Sequence, residues 1–163
     1  HFEFSVKDWT YSGEEQTPFT IEGTVPDNTT ITYSKERYGT FTGEIPKYKC
    51  AGEYTVLCSV SDIYGTQIIP INVKIKKAPL TVTAKPSTVT YGDEPSADGV
   101  TYEGFVNGET EAVLSGVLDY SFDYEKWGDA GTYTITPFGL TSDNYEITFE
   151  TSDLTVNKKE LSK

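Results

Sequence analysis

The sequence is poor in the side chains on which most enzyme active sites depend. Its 163 residues include one histidine, His1, two cysteines and no methionine, not even at position 1. A single histidine at the chain terminus excludes a triad or proton relay built on histidine. One histidine and two cysteines are also fewer than the four ligands of a typical zinc site. These absences argue against an enzyme. The missing methionine indicates a fragment excised from a longer protein.

The two cysteines are too few for a disulfide framework. Cys50 and Cys58 are predicted to lie on one strand, which would hold them more than about 20 Å apart at roughly 3.3 Å per residue, far beyond disulfide distance. Cys58 shares the strand parity of Tyr54 and Val56, which favours a buried and inert thiol. We therefore expect both cysteines to be free.

Basic residues are also scarce. The sequence has 13 lysines and arginines but 25 aspartates and glutamates, which gives a formal net charge of −12. Residues 1–78 carry 8 basic and 10 acidic groups, a net of −2, whereas residues 79–163 carry 5 and 15, a net of −10. A groove for phosphates needs clustered lysine and arginine, so the composition argues against nucleic acid as a partner. No apolar run approaches the length of a membrane span, and we expect no membrane insertion of this fragment.

Aromatic residues, glycine and proline are abundant instead. Tyrosine occurs 12 times and phenylalanine 8 times, and the 14 glycines and 8 prolines can supply turns between many short strands. Apolar and polar residues alternate with period two at 118–125 and 132–136, which indicates sheets with one buried face. Only residues 107–114 favour a helical turn, capped by Thr110 or Asn107.

Two segments of about 80 residues, a usual domain size, contain the same motifs in the same order. Each has a strand-like run that leads to a tyrosine, a glycine and two acids, then an Ala-Gly-x-Tyr motif, and finally a strand that ends in paired lysines. The copies of these three motifs lie at 4–18 and 80–96, at 51–54 and 130–133, and at 71–77 and 153–159.

The repeat predicts one β domain at 1–78, a second at 79–159, and the start of a further repeat or a tail at 160–163. Pro79 predicts a short, stiff connection between the two domains. The strand pattern favours an all-β fold of two tandem small immunoglobulin-like β-sandwich domains. β-grasp-like rolls with one short helix packed on the sheet are the alternative, because of the helical turn near Asn107.

The second segment resembles the MBG domain of the Tyr-Gly-x type over almost its whole length. The matching motifs are LTVTA at 80–84, VTYGD at 89–93, GFVNGET at 104–110, VLSG at 113–116, AGTYTI at 130–135, LTS at 140–142, NY at 144–145 and the closing LTV at 154–156. The first segment is similar to a related repeat, although Cys50 stands where the pattern usually has Asp. The resemblance implies tandem extracellular modules of large bacterial cell-surface proteins. It does not imply an enzyme, and it supplies no catalytic or ligand-binding residues.

Glycine and tyrosine in the shared motifs have predicted structural roles. Gly52, Gly92 and Gly131 lie where strands turn, and glycine alone adopts a positive φ there without steric cost. Tyr54 and Tyr133 begin strands just after such a turn. Each can bury its ring while its hydroxyl bonds a loop carbonyl, as in the tyrosine corner of immunoglobulin-like sandwiches.

Acidic side chains and tryptophans are the candidate ligand-binding residues. Asp93, Asp119 and Asp123 are the calcium candidates, because clustered carboxylates suit Ca²⁺. The spacing of Asp119 and Asp123 on an alternating strand is also typical of a solvated face, and no calcium-loop motif is present. Trp9 and Trp127 are the candidates for a sugar-stacking platform, with packing against the core as the competing interpretation. No cofactor is predicted.

These features together predict a non-catalytic extracellular module of a bacterial surface protein, acting as a stalk or spacer, with adhesion as a further role. The alternatives are a carbohydrate- or mucin-binding domain and an accessory domain of a secreted hydrolase. The candidate partners are a host glycan or a host protein, and the sequence does not choose between them. We expect a monomer within a longer repeat array.

Overall fold

The computed structural model describes residues 1–159, and the predicted further repeat or tail at 160–163 lies outside the described residues. Residues 1–159 form thirteen β-strands and one 3₁₀ turn, so the prediction of an all-β fold is confirmed. The strands are β1 (Phe2–Val6), β2 (Trp9–Thr10), β3 (Phe19–Gly23), β4 (Thr30–Ser34), β5 (Gly52–Asp62), β6 (Gly65–Lys76), β7 (Ala78–Ala84), β8 (Ser87–Thr90), β9 (Val100–Glu103), β10 (Ser115–Phe122), β11 (Gly131–Thr141), β12 (Tyr145–Glu150) and β13 (Ser152–Asn157).

The chain divides between Lys77 and Ala78 into two compact units. We call them unit 1 (His1–Lys77) and unit 2 (from Ala78 onward). Strand β6 ends unit 1 at Lys76 and strand β7 begins unit 2 at Ala78, so a single residue lies between these strands. This division lies one residue before the boundary that the sequence repeat predicts.

Unit 1 contains a two-stranded sheet and a four-stranded sheet. β1 pairs antiparallel with β3, and the larger sheet has the strand order β2-β6-β5-β4. β5 and β6 form a long antiparallel hairpin that closes at Asp62 and Gly65, and β2 pairs in parallel with the end of β6. The Phe19 ring of the small sheet packs on the Tyr33 ring of the larger one, with centroids 5.9 Å apart. The two sheets therefore share a core.

Unit 2 also has two sheets, but one strand segment changes sheets. The strand orders are β10-β11-β13-β8 and β12-β7-β9. β12 and β13 are separated only by Thr151, yet β12 pairs with β7 in one sheet and β13 pairs with β11 in the other. In unit 1 the corresponding strand β6 is continuous and stays paired with β5 from Gly65 to Ile75. Within the described residues, therefore, β7 has a neighbour on both sides, whereas β1 has one only.

Burial along the strands follows the predicted period of two. Val56 and Cys58 of β5 are fully buried, and Tyr120 of β10 is half-buried while Asp119 and Ser121 beside it are exposed. The core of unit 2 draws residues from both of its sheets. Its buried members are Ala84, Val89, Tyr124, Ile135, Leu154 and Val156.

The predicted helical turn is a 3₁₀ turn over Glu111–Val113 with Thr110 as its N-cap. The Thr110 hydroxyl accepts a hydrogen bond from the backbone N–H of Ala112, which is one of the two caps that the sequence predicts. None of the three residues is buried, so the turn does not supply the sheet-packed helix that a β-grasp-like roll requires. No helix of the described chain is long and apolar enough to cross a membrane.

Candidate functional site: the tyrosine-glycine loops

The tyrosines of the two Ala-Gly-x-Tyr motifs make the same hydrogen bond. The Tyr54 hydroxyl donates to the carbonyl oxygen of Cys50 at 2.6 Å, and the Tyr133 hydroxyl donates to the carbonyl oxygen of Asp129, also at 2.6 Å. Both acceptors lie four residues before the tyrosine. The predicted bond from a tyrosine hydroxyl to a loop carbonyl is confirmed in both units, although the two rings are half-buried rather than fully buried.

Each of these tyrosines packs against a second, buried tyrosine that the sequence analysis missed. In unit 1, Tyr48 stacks on Tyr54 with centroids 4.1 Å apart and planes inclined by 23°. In unit 2, Tyr124 lies 4.9 Å from Tyr133. Burial, and then the neighbouring phenol, raises the pKa of Tyr48. A tyrosine shortly before Ala-Gly-x-Tyr in both copies was the available signal, but the unequal spacing concealed it.

The loops that begin at Tyr11 in unit 1 and at Tyr91 in unit 2, here called the Tyr-Gly loops, each close their unit through one backbone contact. The N–H of Tyr11 donates to the carbonyl of Lys76 in unit 1, and the N–H of Tyr91 donates to the carbonyl of Asn157 in unit 2, each at 2.8 Å. Both bonds extend a parallel pairing, of β2 with β6 and of β8 with β13. We call this pairing with its terminal bond the clasp. It joins a strand near the start of each unit to the strand that ends it.

Tyr145 of the Asn-Tyr motif anchors a loop that has no counterpart motif in unit 1. Its ring is 2% exposed, and its hydroxyl donates to the Glu109 carboxylate and accepts from the backbone N–H of Val106. The Phe105 ring meets it edge-on, with centroids 5.4 Å apart. Burial, followed by the bond to Glu109, raises the pKa of the Tyr145 phenol. The motif therefore holds residues 105–109 against the start of β12.

Trp9 is a packing residue of the Tyr-Gly loop of unit 1. Its ring is half-buried, and its indole N–H donates to the side-chain oxygen of Gln16. The amide of Gln16 in turn donates to the Ser12 hydroxyl at 2.7 Å. The polar edge of the indole is thus already bonded within the loop.

Trp127 differs from Trp9 in both exposure and backbone conformation. It is 63% exposed and has a φ of +75°, a region that bulky residues seldom adopt. The Tyr91 ring meets it edge-on at 5.7 Å, and the Lys126 ammonium lies 5.4 Å from the ring centroid. Lys126 also pairs with the Glu94 carboxylate at 3.5 Å. Charged and aromatic groups therefore surround an exposed indole.

Glycine is required at the centre of the unit 2 loop for two reasons. Gly92 has a φ of +95°, and a Cβ built on it would lie 3.0 Å from the Trp127 ring. Gly52 and Gly131 also have positive φ, of +152° and +154°, as predicted for all three positions. At Gly92 alone among them, the missing side chain also makes room for an indole.

The three calcium candidates each accept a hydrogen bond from a backbone N–H. Asp93 accepts from Thr90 at 3.0 Å, Asp119 accepts from Tyr120 at 2.8 Å, and Asp123 accepts from Thr134 at 2.7 Å. Within residues 1–159, no three histidine, cysteine, aspartate or glutamate side chains are grouped so that they could hold a metal ion. The structure gives each carboxylate a local bonding role and does not bring the three together.

Both cysteines are free, as predicted, with Cys50 exposed and Cys58 buried. Cys58 lies on β5, whereas Cys50 precedes that strand, so the two do not share one strand as the sequence analysis assumed. Burial raises the pKa of the Cys58 thiol to about 11. A thiol with so high a pKa is almost wholly protonated near neutral pH and is a poor nucleophile.

Comparison with known proteins gives a family match for unit 2 and remote structural similarities for the whole chain. Residues 80–155 match the family model of the MBG domain (YGX type). No curated protein matches the sequence significantly.

Three solved structures cover nearly all of this chain at low identity. The fibronectin(III)-like modules of Clostridium thermocellum CbhA are 15% identical over 97% of this chain and 95% of theirs, with a TM-score of 0.31. An I-band fragment of titin is 14% identical over 96% of this chain and 66% of its own length, with a TM-score of 0.34. The three N-terminal domains of the outer capsid protein Hoc of bacteriophage RB49 are 13% identical over 97% of this chain and 59% of their own length, with a TM-score of 0.34.

The family match includes the three loops described for unit 2. The Tyr91-Gly92 turn, the Tyr133 hydrogen bond and the Tyr145 anchor all lie between residues 80 and 155. The motifs that carried the resemblance in the sequence are thus the residues that close and brace this unit. Residues 80–155 thus match the MBG domain (YGX type), the family that these motifs indicated in the sequence.

Proposed function

We propose that this chain is a non-catalytic segment of an extracellular bacterial surface protein, where it serves as a stalk that transmits tension between the cell and a distal binding region. The observation that carries the proposal is the clasp. In both units a strand near the entry of the chain pairs in parallel with the strand from which the chain leaves.

Parallel pairing matters because of the direction in which tension acts. If a unit is pulled by its two ends, the entry strand is drawn toward its own start and the closing strand toward its own end. Two parallel strands drawn in this way slide past each other, so their evenly spaced hydrogen bonds are loaded together. An antiparallel hairpin pulled at its open end separates one pair at a time. Of these two arrangements, the clasp is therefore the one that resists tension better.

The clasp is more extensive in unit 2 than in unit 1. In unit 1 it contains the pairs of Trp9 with Ile75 and of Thr10 with Lys76. In unit 2, β8 pairs with β13 over Leu154–Asn157, and the first strand β7 pairs in parallel with β12 along the whole of β12. Unit 1 should therefore unfold at the lower force.

The ionisable groups support a non-catalytic role. Burial raises the pKa of Cys58 and of six tyrosines, Tyr33, Tyr48, Tyr54, Tyr102, Tyr120 and Tyr145. Groups that transfer protons in catalysis have pKa values near the working pH. A raised pKa lies further above neutral pH and keeps the phenol or thiol protonated and uncharged. An uncharged side chain can pack in a core without a desolvation cost for charge.

Force spectroscopy on the chain held by its two ends tests the proposal. Two unfolding events are expected, the weaker from unit 1, each releasing roughly 250 Å of chain at about 3.3–3.6 Å per residue. The matched control pulls unit 1 from Cys50, just before β5, and from its C-terminal end, which together are the open end of the β5–β6 hairpin, so the hairpin separates pair by pair. If both geometries break at the same low force, the clasp bears no load.

The location at the cell surface has its own test. Antibodies against this segment should label intact cells of the source organism, and external protease should remove the signal while a cytoplasmic marker persists. Labelling that requires permeabilised cells would contradict the proposed location.

A further inference from the structure

We propose that the surface formed by Tyr91, Glu94, Lys126 and Trp127, the Trp127 platform, binds a neutral pyranose ring of a glycan. The proposal does not depend on the tension-bearing role, since it concerns a loop face rather than the clasp. It begins from an exposed tryptophan in an unfavourable backbone conformation.

The packing of Trp127 does not account for its conformation. The residue lies in the left-handed region with a φ of +75°, where the side chain of an L-residue crowds the following carbonyl. A buried ring would offset that cost through removal of apolar surface from water, but 63% of Trp127 remains exposed. Glycine or asparagine would fit this backbone better. Core packing therefore does not explain why a tryptophan occupies this position.

The Tyr-Gly loop supports the ring from below. A Cβ at Gly92 would lie 3.0 Å from the indole, so the absence of a side chain lets the ring rest directly on the loop. Tyr91, which is 38% exposed, meets the ring edge-on with centroids 5.7 Å apart. Two aromatic side chains, one of them fixed by the backbone, therefore present a joint apolar surface to solvent.

The polar groups beside the ring are placed for sugar hydroxyls. The Lys126 ammonium lies 5.4 Å from the centroid of the Trp127 ring. The Glu94 carboxylate lies 3.5 Å from that ammonium. This ion pair is solvent-accessible, so its donors and acceptors can exchange water for ligand hydroxyls. The axial C–H groups of a pyranose stack on an aromatic face while the ring hydroxyls project sideways. The solvent-accessible Lys126 ammonium lies over the indole, so a stacked sugar would displace it from the face, and Lys126 and Glu94 would then bond the ring hydroxyls.

Charge and size favour a neutral sugar over other ligands. Residues 79–163 carry 5 basic and 15 acidic groups, a net of −10, which repels sialylated or sulfated glycans. A stable protein interface usually buries about 800 Å² on each partner around an apolar centre. The Trp127 platform has one indole and the edge of one phenol, which is an area suited to one sugar ring.

The test uses Trp9→Phe protein, in which Trp127 is the sole tryptophan. The probes are an array of neutral hexose and N-acetylhexosamine oligosaccharides, with sialylated and sulfated oligosaccharides as a second set. At least one neutral oligosaccharide should bind saturably and shift the Trp127 emission. Trp127→Gly should weaken that binding by roughly 10-fold or more while the melting temperature stays within about 3 °C of the parent, because glycine relieves the backbone.

Two further variants separate binding from folding. Glu94→Gln should reduce affinity for the same oligosaccharide without altering the ring packing, and Tyr38→Ala, which removes a 94% exposed aromatic of unit 1, should leave affinity unchanged. Absence of a response to every neutral oligosaccharide by folded protein would overturn the proposal. So would binding that survives both Trp127→Gly and Glu94→Gln, or a preference for the acidic set.

Discussion

The hydroxyl of Tyr133 donates a 2.6 Å hydrogen bond to the carbonyl oxygen of Asp129, four residues earlier in the chain. The bond spans a turn in which Gly131 has a φ of +154°, and it fixes the start of β11 in addition to the sheet pairing. Because donor and acceptor belong to one short loop, the bond can be removed without changing any strand register.

Tyr133→Phe should lower the free energy of unfolding of unit 2 by about 1 kcal/mol, the usual net contribution of one hydrogen bond. Tyr133→Ala should cost about 3 kcal/mol, because the half-buried ring also packs on Tyr124. Urea denaturation followed by near-ultraviolet circular dichroism measures both. Tyr38→Phe, at an exposed tyrosine, is the control and should have no effect. If Tyr133→Phe is also neutral, the bond does not stabilise the fold.

Native protein should expose one reactive thiol and unfolded protein two. Cys50 is exposed and Cys58 is fully buried, so a thiol reagent at mildly alkaline pH should modify Cys50 promptly and Cys58 only when β5 opens. Cys50→Ser should abolish the fast phase and leave the slow one. Rapid modification of two thiols in folded protein would show that β5 separates readily from its neighbours.

The stability of unit 1 should fall at alkaline pH. Burial raises the pKa of the Cys58 thiol from 9.0 to about 11, so the folded state holds this proton more tightly than the unfolded chain does. The resulting stabilisation is fully present below pH 9 and is lost as the pH rises through about 11. Urea unfolding at successive alkaline pH values measures the decline.

Cys58→Ala supplies the control for that decline. It should flatten the early part of the pH dependence, and the remainder should come from tyrosines such as Tyr33, whose pKa burial also raises. An unchanged pH profile in Cys58→Ala would show that the thiol proton contributes nothing to the alkaline loss of stability.

Gly92→Ala should be more destabilising than Gly99→Ala. The two glycines have nearly equal φ, +95° and +93°, but a Cβ at Gly92 would lie 3.0 Å from Trp127 whereas nothing lies within 4 Å of one at Gly99. Gly99→Ala should cost about 1–2 kcal/mol from backbone strain alone. The additional cost of Gly92→Ala should vanish in a Trp127→Gly background, and an equal cost in both backgrounds would place the strain elsewhere.

Melting temperatures in chelator and in millimolar Ca²⁺ should agree. Asp93 and Asp123 already accept backbone N–H bonds, and Ca²⁺ needs six to eight oxygen ligands from one site. Differential scanning calorimetry of the whole chain makes the comparison, with Mg²⁺ as the control for ionic strength. A rise specific to Ca²⁺ would indicate a site that these residues do not form by themselves.

Local features of the fold were predictable from the sequence. Period-two alternation indicated the buried faces of β5 and β10, and the Ala-Gly-x-Tyr spacing indicated the tyrosine hydrogen bonds, because donor, turn and acceptor are consecutive. The Thr110 cap belongs to the same class. In each of these cases the physical cause lies within a few residues of its effect.

Features that depend on distant contacts were not predictable. The sheet change at Thr151 follows from the pairing of β12 with β7, which no pattern within β12 and β13 announces. The difference between Trp9 and Trp127 arises because Gln16 bonds one indole, while the backbone at position 127 turns the other outward. Sequence alternation describes which face of a strand is apolar, but not which strand will cover it.

The sheet change also affects how quickly each unit can reach its native state. Unit 1 builds its largest pairing from neighbours in the chain, since β5 and β6 meet across the turn at Asp62 and Gly65. Unit 2 must bring β12 back to β7, where Thr83 and Glu150 contact each other across 67 residues of chain. Long-range pairing slows folding, because the chain loses the conformational entropy of loop closure before the stabilising contacts form. In unit 1 the pairing of comparable range is limited to the two pairs of β2 with β6. Unit 1 emerges first during synthesis, and we expect it to fold before the slower unit that follows it.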